Sequence, residues 1–258
     1  IFTQNVEMSM KELSTLDDLM DLATGYLSTA WDKAVQANNQ TYGKSSLEAL
    51  KVEIDEITKT MVDLANTEYN DNYIFGGTNT KILPYEQAEN GDIIYNGTPY
   101  DNKDYIRQTE VADGVFEVIN TTGDKVFGYY KSAVEPGNGV YTDANGKRVI
   151  ESTDAGTGQK VYKYENGVEY TGDVADLTDG AEEEAVGVMG ALRKLSNSLG
   201  TVVEGLEAGD DAMVQEGYAE MNSTLDMFSD SLNTITTEQT KFGGVYNRME
   251  MSTSTLET

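Results

Sequence analysis

The chain contains no cysteine and no histidine, and these two absences exclude several kinds of catalytic site. Without cysteine there is no thiol nucleophile, no disulfide and no cysteine-ligated zinc. Without histidine, the side chain that most often acts as a base near neutral pH is missing, so a Ser-His-Asp triad cannot form. Paired carboxylates could still serve as acid and base, but a chain with 45 acidic residues always offers such pairs. We therefore predict a protein that is not an enzyme and that uses no cofactor or metal.

Basic residues are scarce as well, because 18 Lys and Arg face 45 Asp and Glu, for a net charge of −27. A surface of this sign repels phosphate, so neither nucleic acid nor an anionic membrane is expected as a partner. No apolar run reaches the roughly 18 residues that cross a bilayer. The first four residues also lack the basic and apolar regions of a secretory signal. The missing initial Met leads us to expect a fragment or a processed chain.

Proline is absent from both flanks of the chain, where apolar or small residues alternate at spacings of three and four. This heptad pattern is typical of long helices that pack lengthwise, and it favours a structural core over a cofactor site. Gln239 is the one polar residue in these seams, a position that often fixes register. The four predicted seams are 13, 16, 20, 23, 27, 30, 34 and 37; 47, 50, 54, 57, 61 and 64; 188, 192, 195, 199, 202 and 206; and 221, 225, 228, 232, 235, 239, 242, 246 and 249.

Polar residues suggest where these helices begin. Ser45 and Glu48 have the spacing of a capping box at the start of the second helix. Asp179 and residues 182–184 place negative charge where the third helix would begin, and Gly209 would end that helix. Asp210 or Asp211 is expected to cap the last helix.

The middle of the chain, residues 71–180, holds all three prolines and 15 of the 25 glycines. Asn145-Gly146 and Asn166-Gly167 each lie between β-type runs and predict two hairpins. Asp143 starts a segment that resembles part of a calcium loop, but Tyr141 stands where an acidic ligand is needed, so a turn is favoured. Further strands are predicted at Ile93-Ile94-Tyr95, Tyr105-Ile106-Arg107, residues 115–119 and Val126-Phe127.

The sequence therefore predicts an α+β fold. Residues 1–72 and 181–258 form one discontinuous domain, an elongated antiparallel helical bundle built from both chain ends. Residues 73–180 form an inserted domain of antiparallel β-structure.

Three segments resemble the bacterial flagellin family: residues 36–41, residues 64–67 and residues 242–249. Tyr73-Ile74-Phe75-Gly76-Gly77-Thr78-Asn79-Thr80, with Pro84-Tyr85 and Tyr95-Asn96-Gly97 downstream, is similar to the hook-associated protein 3 group of that family. Gly244 and Met249 depart from its usual Ala and Leu but keep small and apolar character. We take the structural signature to be Tyr73, Phe75, Gly76, Gly77, Thr78, Thr80, Pro84 and Tyr85.

The resemblance implies an extracellular structural subunit that links the flagellar hook to its filament, exported through the flagellar channel without a cleaved signal. It implies as partners the first hook-associated protein, flagellin, the filament cap, further copies in a ring layer and an export chaperone. It also implies that the family's two terminal segments are absent here. Candidate partner-binding residues are Asn38, Thr41, Asn247 and Arg248. Two alternatives stay open: filament flagellin, and a carbohydrate-binding adhesin suggested by the tyrosine-rich middle segment.

Overall fold

The computed structural model describes residues 2–101, 103–154, 156–165 and 167–256. Within these ranges no helix is long and apolar enough to cross a membrane. Two short 3-10 turns, Lys103–Tyr105 and Val174–Asp176, accompany the α-helices. The α-helices are α1 (Phe2–Ala37), α2 (Lys44–Ala65), α3 (Gly123–Val126), α4 (Gly187–Ala208) and α5 (Asp211–Leu256).

The strands pair in antiparallel fashion. They form two ribbons, β1-β2 and β5-β6, and two four-stranded sheets of order β12-β7-β4-β3 and β10-β9-β8-β11. Their bounds are β1 (Glu68–Tyr69), β2 (Asn72–Tyr73), β3 (Tyr85–Gln87), β4 (Ile93–Tyr95), β5 (Gln108–Ala112), β6 (Val115–Val118), β7 (Tyr129–Lys131), β8 (Val140–Thr142), β9 (Arg148–Thr153), β10 (Lys160–Tyr164), β11 (Thr178–Asp179) and β12 (Glu184–Val186). The α+β class predicted from the sequence is confirmed.

Helices from the two ends of the chain share one apolar core, with α1 packed on α5 and α2 packed on α4. Every predicted seam residue of α1 is buried. The α2 and α4 seams are buried too, except that Leu64 is half-buried and Leu206, near the end of α4, is exposed. The heptad pattern therefore identified the core of these three helices correctly.

On α5 the predicted seam is only half right. Its heptad positions 221, 228, 235, 242 and 249 are buried. Between them the most buried side chains are not the predicted Leu225, Leu232, Gln239 and Tyr246 but Thr224, Ser231, Glu238 and Val245. The hydroxyls of Thr224 and Ser231 donate to the carbonyl oxygens of Met221 and Met227, both at 2.7 Å. A hydroxyl bonded to its own helix in this way can be buried without an unsatisfied donor.

Two predicted helix starts are wrong. The α2 helix begins one residue before Ser45, with Gly43 in extended conformation as its N-cap and no side-chain cap. Ser45 thus lies inside the first turn, where its side chain cannot cap. The α4 helix begins at Gly187, because residues 184–186 belong to strand β12 and Asp179 to strand β11. The predicted cap of α5 is confirmed, since Asp210 Oδ1 accepts hydrogen bonds from the amides of Ala212 (3.0 Å) and Met213 (3.1 Å).

Two glycines touch backbone to backbone where β7 begins and β12 ends. Gly128 and Gly187 both have positive φ, +71° and +60°. A Cβ on Gly128 would lie 1.9 Å from the Val186 carbonyl oxygen, and a Cβ on Gly187 would lie 3.0 Å from the Gly128 Cα. Because only glycine tolerates both the backbone conformation and the close approach, no other residue fits at either position.

The chain divides into two compact units. The first runs up to Tyr130 and resumes at Ala185, and the second is Lys131–Glu184. The predicted boundaries of the insertion, 73 and 180, differ from these, and whether 73–180 folds by itself stays a prediction. Two strands predicted for the middle of the chain are wrong: Tyr105 ends a 3-10 turn, and Val126 ends α3.

The second unit is built on the predicted hairpin β8-β9. Its loop spans residues 143–147, where Asp143 Oδ1 accepts from the amides of Asn145 and Lys147, both at 2.8 Å. Asp143 thus caps a turn. In the second predicted hairpin, β10 is followed by a single bridge, Lys163 to Glu169, in place of a full strand. Asn166, part of the predicted turn, lies outside the described residues.

Arg148 is the most buried charged side chain of this unit, among the residues described, and it joins the two ends of the segment. Its guanidinium Nε donates to Glu184 Oε1 (2.9 Å). Its Nη2 donates to the carbonyl oxygens of Ser132 (2.9 Å) and Glu182 (2.6 Å). One arginine thereby fixes the residues through which the chain enters and leaves the second unit.

Candidate functional site

The signature segment begins with a tight turn that requires its two glycines. The Tyr73 amide donates to the Thr80 carbonyl oxygen (2.9 Å), which closes a loop around the turn. A Cβ on Gly76 would lie 2.7 Å from the Asn79 carbonyl oxygen. Gly77 has a φ of +68°, and a Cβ there would lie 2.9 Å from the Thr98 Cβ. The glycine pair is therefore a steric requirement of this fold.

The aromatic residues of the signature form the core beneath this turn. The Phe75 and Phe127 rings meet edge to face with centroids 4.9 Å apart. The Tyr85 hydroxyl donates to the Gly128 carbonyl oxygen, and the Tyr95 hydroxyl donates to the Phe75 carbonyl oxygen, both at 2.8 Å. Burial raises the pKa of both tyrosines well above the ordinary value, so each hydroxyl remains a donor at all physiological pH values.

The polar residues of the signature bind neighbouring loops. Thr78 Oγ1 donates to the Asp104 carbonyl oxygen (2.9 Å), and Thr80 Oγ1 donates to Asn72 Oδ1 (2.9 Å). Pro84 is buried beside Tyr85. All these contacts lie within the first unit, where they fix the fold of the signature segment.

Asn66 completes this arrangement, in a role that no local sequence pattern predicts. It caps the end of α2, and its side-chain amide spans the backbone of Tyr85. Its Nδ2 donates to the Tyr85 carbonyl oxygen (3.0 Å), while its Oδ1 accepts from the Tyr85 amide (2.8 Å). Such a double contact mimics one step of a β-ladder and ties a helix end to a strand.

The four candidate partner-binding residues lie in two separate places. Asn38, just after α1, donates its amide to Asn222 Oδ1 on α5, and Thr41 is exposed in the following link. Asn247 and Arg248 are exposed on α5. Asn222 and Arg248 are 26 residues apart on that helix, which is about 39 Å at 1.5 Å per residue. A single small ligand could not contact both pairs.

Arg248 is engaged within the chain, since it forms a bidentate ion pair with Glu117 on β6. The Nε–Oε1 distance is 2.6 Å and the Nη2–Oε2 distance is 2.8 Å. The guanidinium holds the pKa of the Glu117 carboxyl below its ordinary value, and the carboxylate raises the pKa of Arg248. Next to the other strand of this ribbon, Arg107, the residue before β5, forms an ion pair with Glu12 of α1. These two pairs bind the β5-β6 ribbon to both terminal helices.

The first unit also contains a polar cavity of about 340 Å³ beside Arg107. Helix α1, the β1-β2 turn and the start of β5 line this open pocket, in which asparagine, serine, threonine and glutamine side chains lie beside Met8 and Ile119. Across the described ranges, no group of three Asp or Glu side chains is arranged to hold a metal ion.

No protein-family profile matches the chain. The flagellar hook-associated protein 3 of Salmonella typhimurium is 29% identical over 127 residues, which span 49% of this chain and 38% of that protein. A crystal structure of hook-associated protein 3 from Legionella pneumophila covers 99% of this chain and 90% of its own, with a TM-score of 0.69 at 16% identity. The fold is that of flagellar hook-associated protein 3. A structure of the flagellar junction protein FlgL from Legionella pneumophila agrees, with a TM-score of 0.67 at 16% identity over 99% of this chain and 91% of its own.

The resemblance inferred from the signature segment is thereby confirmed. Similarity to hook-associated protein 3 extends in fold across both compact units, although the sequence match to the Salmonella protein covers about half of this chain. The two alternatives, filament flagellin and a carbohydrate-binding adhesin, are not favoured by these likenesses. In the second unit, the hydroxyls of Tyr141 and Tyr162 both donate to Glu151 Oε2, at 3.1 and 3.0 Å.

Proposed function

We propose that this chain is a structural subunit of the bacterial flagellum, which joins the hook to the filament outside the cell and catalyses no reaction. The observation that carries the proposal is the fold shared along almost the whole chain with proteins named for that junction. The absence of histidine and cysteine from the sequence fits a role without chemistry.

The helical packing suits a part that transmits mechanical load. The α5 helix has 46 residues, about 69 Å at 1.5 Å per residue, and it packs on both α1 and α4. Apolar side chains are buried at intervals from Tyr218 to Met249, which is about two-thirds of its length. Force applied at one end of such a helix is shared by many side-chain contacts, because interiors packed at crystal-like density have low compressibility.

The partners we propose are the first hook-associated protein on the hook side and flagellin with the filament cap on the other side. Further copies of the chain would complete a layer of subunits between them. An export chaperone would bind the chain before it passes, unfolded, through the flagellar channel. Of the candidate partner-binding residues, Thr41 and Asn247 are exposed, whereas Asn38 and Arg248 already bind other side chains of this chain.

Deletion of the gene in the source bacterium tests the proposal. We expect cells with hooks but no filaments, and flagellin released into the medium, with both defects reversed by the intact gene. Normal filaments in the deletion strain would reject the proposed function.

Complementation with variants tests the exposed candidates separately. Asn247→Arg should lower the number of filaments per cell while leaving the protein folded. Thr237→Arg is the matched control, since Thr237 is also exposed on α5 but faces another direction. Equal filament counts for the two variants would reject Asn247 as a contact without affecting the deletion result.

A further inference from the structure

The N-terminal helix contains a glycine that packing within the chain does not require. Gly25 lies in the interior of α1, and a Cβ at this position would meet nothing within 4 Å. Glycine destabilises a helix interior relative to alanine. An exposed glycine does, however, let another chain approach the helix backbone closely.

The surroundings of Gly25 form a shallow groove with a defined character. Leu22 is 52% exposed, and Tyr26 is exposed beside it, so the groove has an apolar floor. Two exposed carboxylates stand at one end of that floor. We name this surface the Gly25 groove, and its residues are Asp18, Asp21, Leu22, Gly25, Tyr26 and Thr29.

The same chain exposes a segment of complementary character between β2 and β3. We name it the Lys81 loop, and it consists of Lys81, Ile82 and Leu83. Ile82 is 50% exposed and Leu83 is 45% exposed. Lys81 Nζ donates to the Asp71 carbonyl oxygen (2.6 Å), and the ammonium group retains two further donors. The loop thus offers two apolar side chains and a positive charge, where the groove offers an apolar floor and two negative charges.

We propose that the Lys81 loop of one copy docks in the Gly25 groove of a second copy. Ile82 and Leu83 pack on Leu22 and Tyr26, and the Lys81 ammonium faces Asp18. This contact rests on the proposed function, because it supplies the copy-to-copy interaction of the subunit layer. In a chain with a net charge of −27, local surfaces of opposite sign favour association between copies over general repulsion.

The geometry of this contact determines the kind of assembly it produces. The loop and the groove are different surfaces, so the contact is heterologous. Each copy then keeps one unused loop or groove, and copies add head to tail into a closed ring or an open helical row. A symmetric dimer is not an expected product.

Cysteine cross-linking of the full-length protein tests the contact, because the described sequence has no cysteine of its own. Leu22→Cys is introduced in one preparation and Ile82→Cys in another, and the two are mixed at high concentration under mild oxidation. Disulfides form only when Cα atoms come within about 7 Å. We expect the mixed dimer at a yield roughly tenfold above that of a control pair.

The control pair combines Val35→Cys with Ile82→Cys. Val35 is 52% exposed on the same helix and lies 13 residues from Leu22, about 20 Å along the axis. Equal yields for the two pairs would overturn the proposal. So would a predominance of Leu22→Cys or Ile82→Cys homodimers, because either would mean a symmetric contact.

Charge reversal separates this contact from docking by another protein. Asp18→Lys and Lys81→Glu should each lower the mixed-dimer yield roughly two- to fivefold. When Asp18→Lys is combined with Leu22→Cys in one protein and Lys81→Glu with Ile82→Cys in the other, mixing the two should restore the mixed-dimer yield. The groove then has the lysine and the loop the carboxylate. No effect of Lys81→Glu, or no restoration, would overturn the proposal. The deletion phenotype is independent of these results, so the proposed function can stand when this contact fails.

Discussion

The interiors of the two compact units are stabilised by different interactions. The first unit buries a continuous apolar core that includes residues from α1, α2, α4, α5 and the sheet beneath the signature turn. In the second unit, Val149 is the one hydrophobic side chain that is buried among the residues described, and Arg148 and Asp143 are buried beside it. The first unit depends on apolar surface area removed from water, and the second unit depends on hydrogen bonds that satisfy its buried polar groups.

Because of this difference, the two units should respond differently to substitution. Apolar packing is distributed over many contacts, but every core position is sensitive to lost volume. A polar arrangement concentrates stability in a few residues and leaves most of its surface free to vary.

Phe75→Ala should destabilise the first unit most. The change removes a fully buried ring and its edge contact with Phe127, which should lower the free energy of unfolding by about 3–5 kcal/mol. Urea-induced unfolding followed by circular dichroism measures it. Phe116→Ala is the matched control, because Phe116 is 55% exposed and its loss should cost less than about 0.5 kcal/mol. Similar midpoints for the two variants would mean that the first unit does not depend on this core.

Arg148→Ala should destabilise the second unit and leave the first unchanged. Loss of the guanidinium removes a buried donor from the carbonyls of Ser132 and Glu182 and leaves Glu184 with Lys131 (3.5 Å) as its remaining cation, at a cost of about 2–4 kcal/mol. Amide hydrogen exchange measures this loss of stability separately in each unit. The amides of Val134 and Ala181, which bond each other's carbonyls, should exchange faster, while α4 amides keep their rates.

Lys160→Ala is the control for that experiment, since Lys160 is well exposed and pairs with Glu151 at the surface. Exchange rates should barely change in this variant. If Arg148→Ala instead accelerated exchange throughout α4, the two units would share stability and the contrast drawn here would be wrong.

Asp210→Ala should lower the free energy of unfolding by about 1 kcal/mol, because the α5 N-terminus loses its side-chain cap. Ser45→Ala provides the comparison. Although the S-x-x-E spacing suggests a cap, the Ser45 side chain makes none, so this change should be close to neutral. Thermal unfolding of both variants measures the difference, and an equal loss would restore Ser45 as a capping residue.

Arg248→Gln should have the smallest effect, and that effect should depend on pH. Arg248 holds the pKa of Glu117 below its ordinary value of 4.5. A lowered folded-state pKa stabilises the protein above the unfolded pKa, and this stability disappears as the pH falls through the folded value. Because Arg248 is half-exposed, we expect a loss below about 1 kcal/mol at pH 7. Urea midpoints of parent and variant should converge as the pH falls through the lowered pKa of Glu117, and a gap that persisted in more acidic solution would contradict this origin.

The sequence predicts the helical part well because burial and periodicity are the same property in a long amphipathic helix. Leu13 through Ala37 on α1 illustrate this, since each apolar position at spacing three or four is buried. The rule fails on α5 at Thr224 and Ser231. Their hydroxyls bond the preceding turn, so polarity in the sequence does not exclude burial there.

The candidate site was less predictable, because its contacts join distant parts of the chain. Turn dipeptides identified the local hairpin β8-β9. By contrast, Arg248 meets Glu117 across 131 residues, and Asn66 meets Tyr85 only after the chain has turned through the signature loop. No local pattern encodes such pairs, so charge and spacing in one sequence cannot reveal them. Val126-Phe127 reads as a strand by composition, yet tertiary packing places Val126 in a buried helical turn.

The contact between Gly128 and Gly187 makes the fold of the helical unit independent of the segment inserted between these two residues. Departure and return of the chain occur at neighbouring backbone positions, so the helical unit closes on itself whatever number of residues lies between them. Lengthening such a loop adds only a slowly growing entropic cost. Selection could therefore enlarge, shrink or exchange the segment between these two glycines while the helices and their seams stayed as they are.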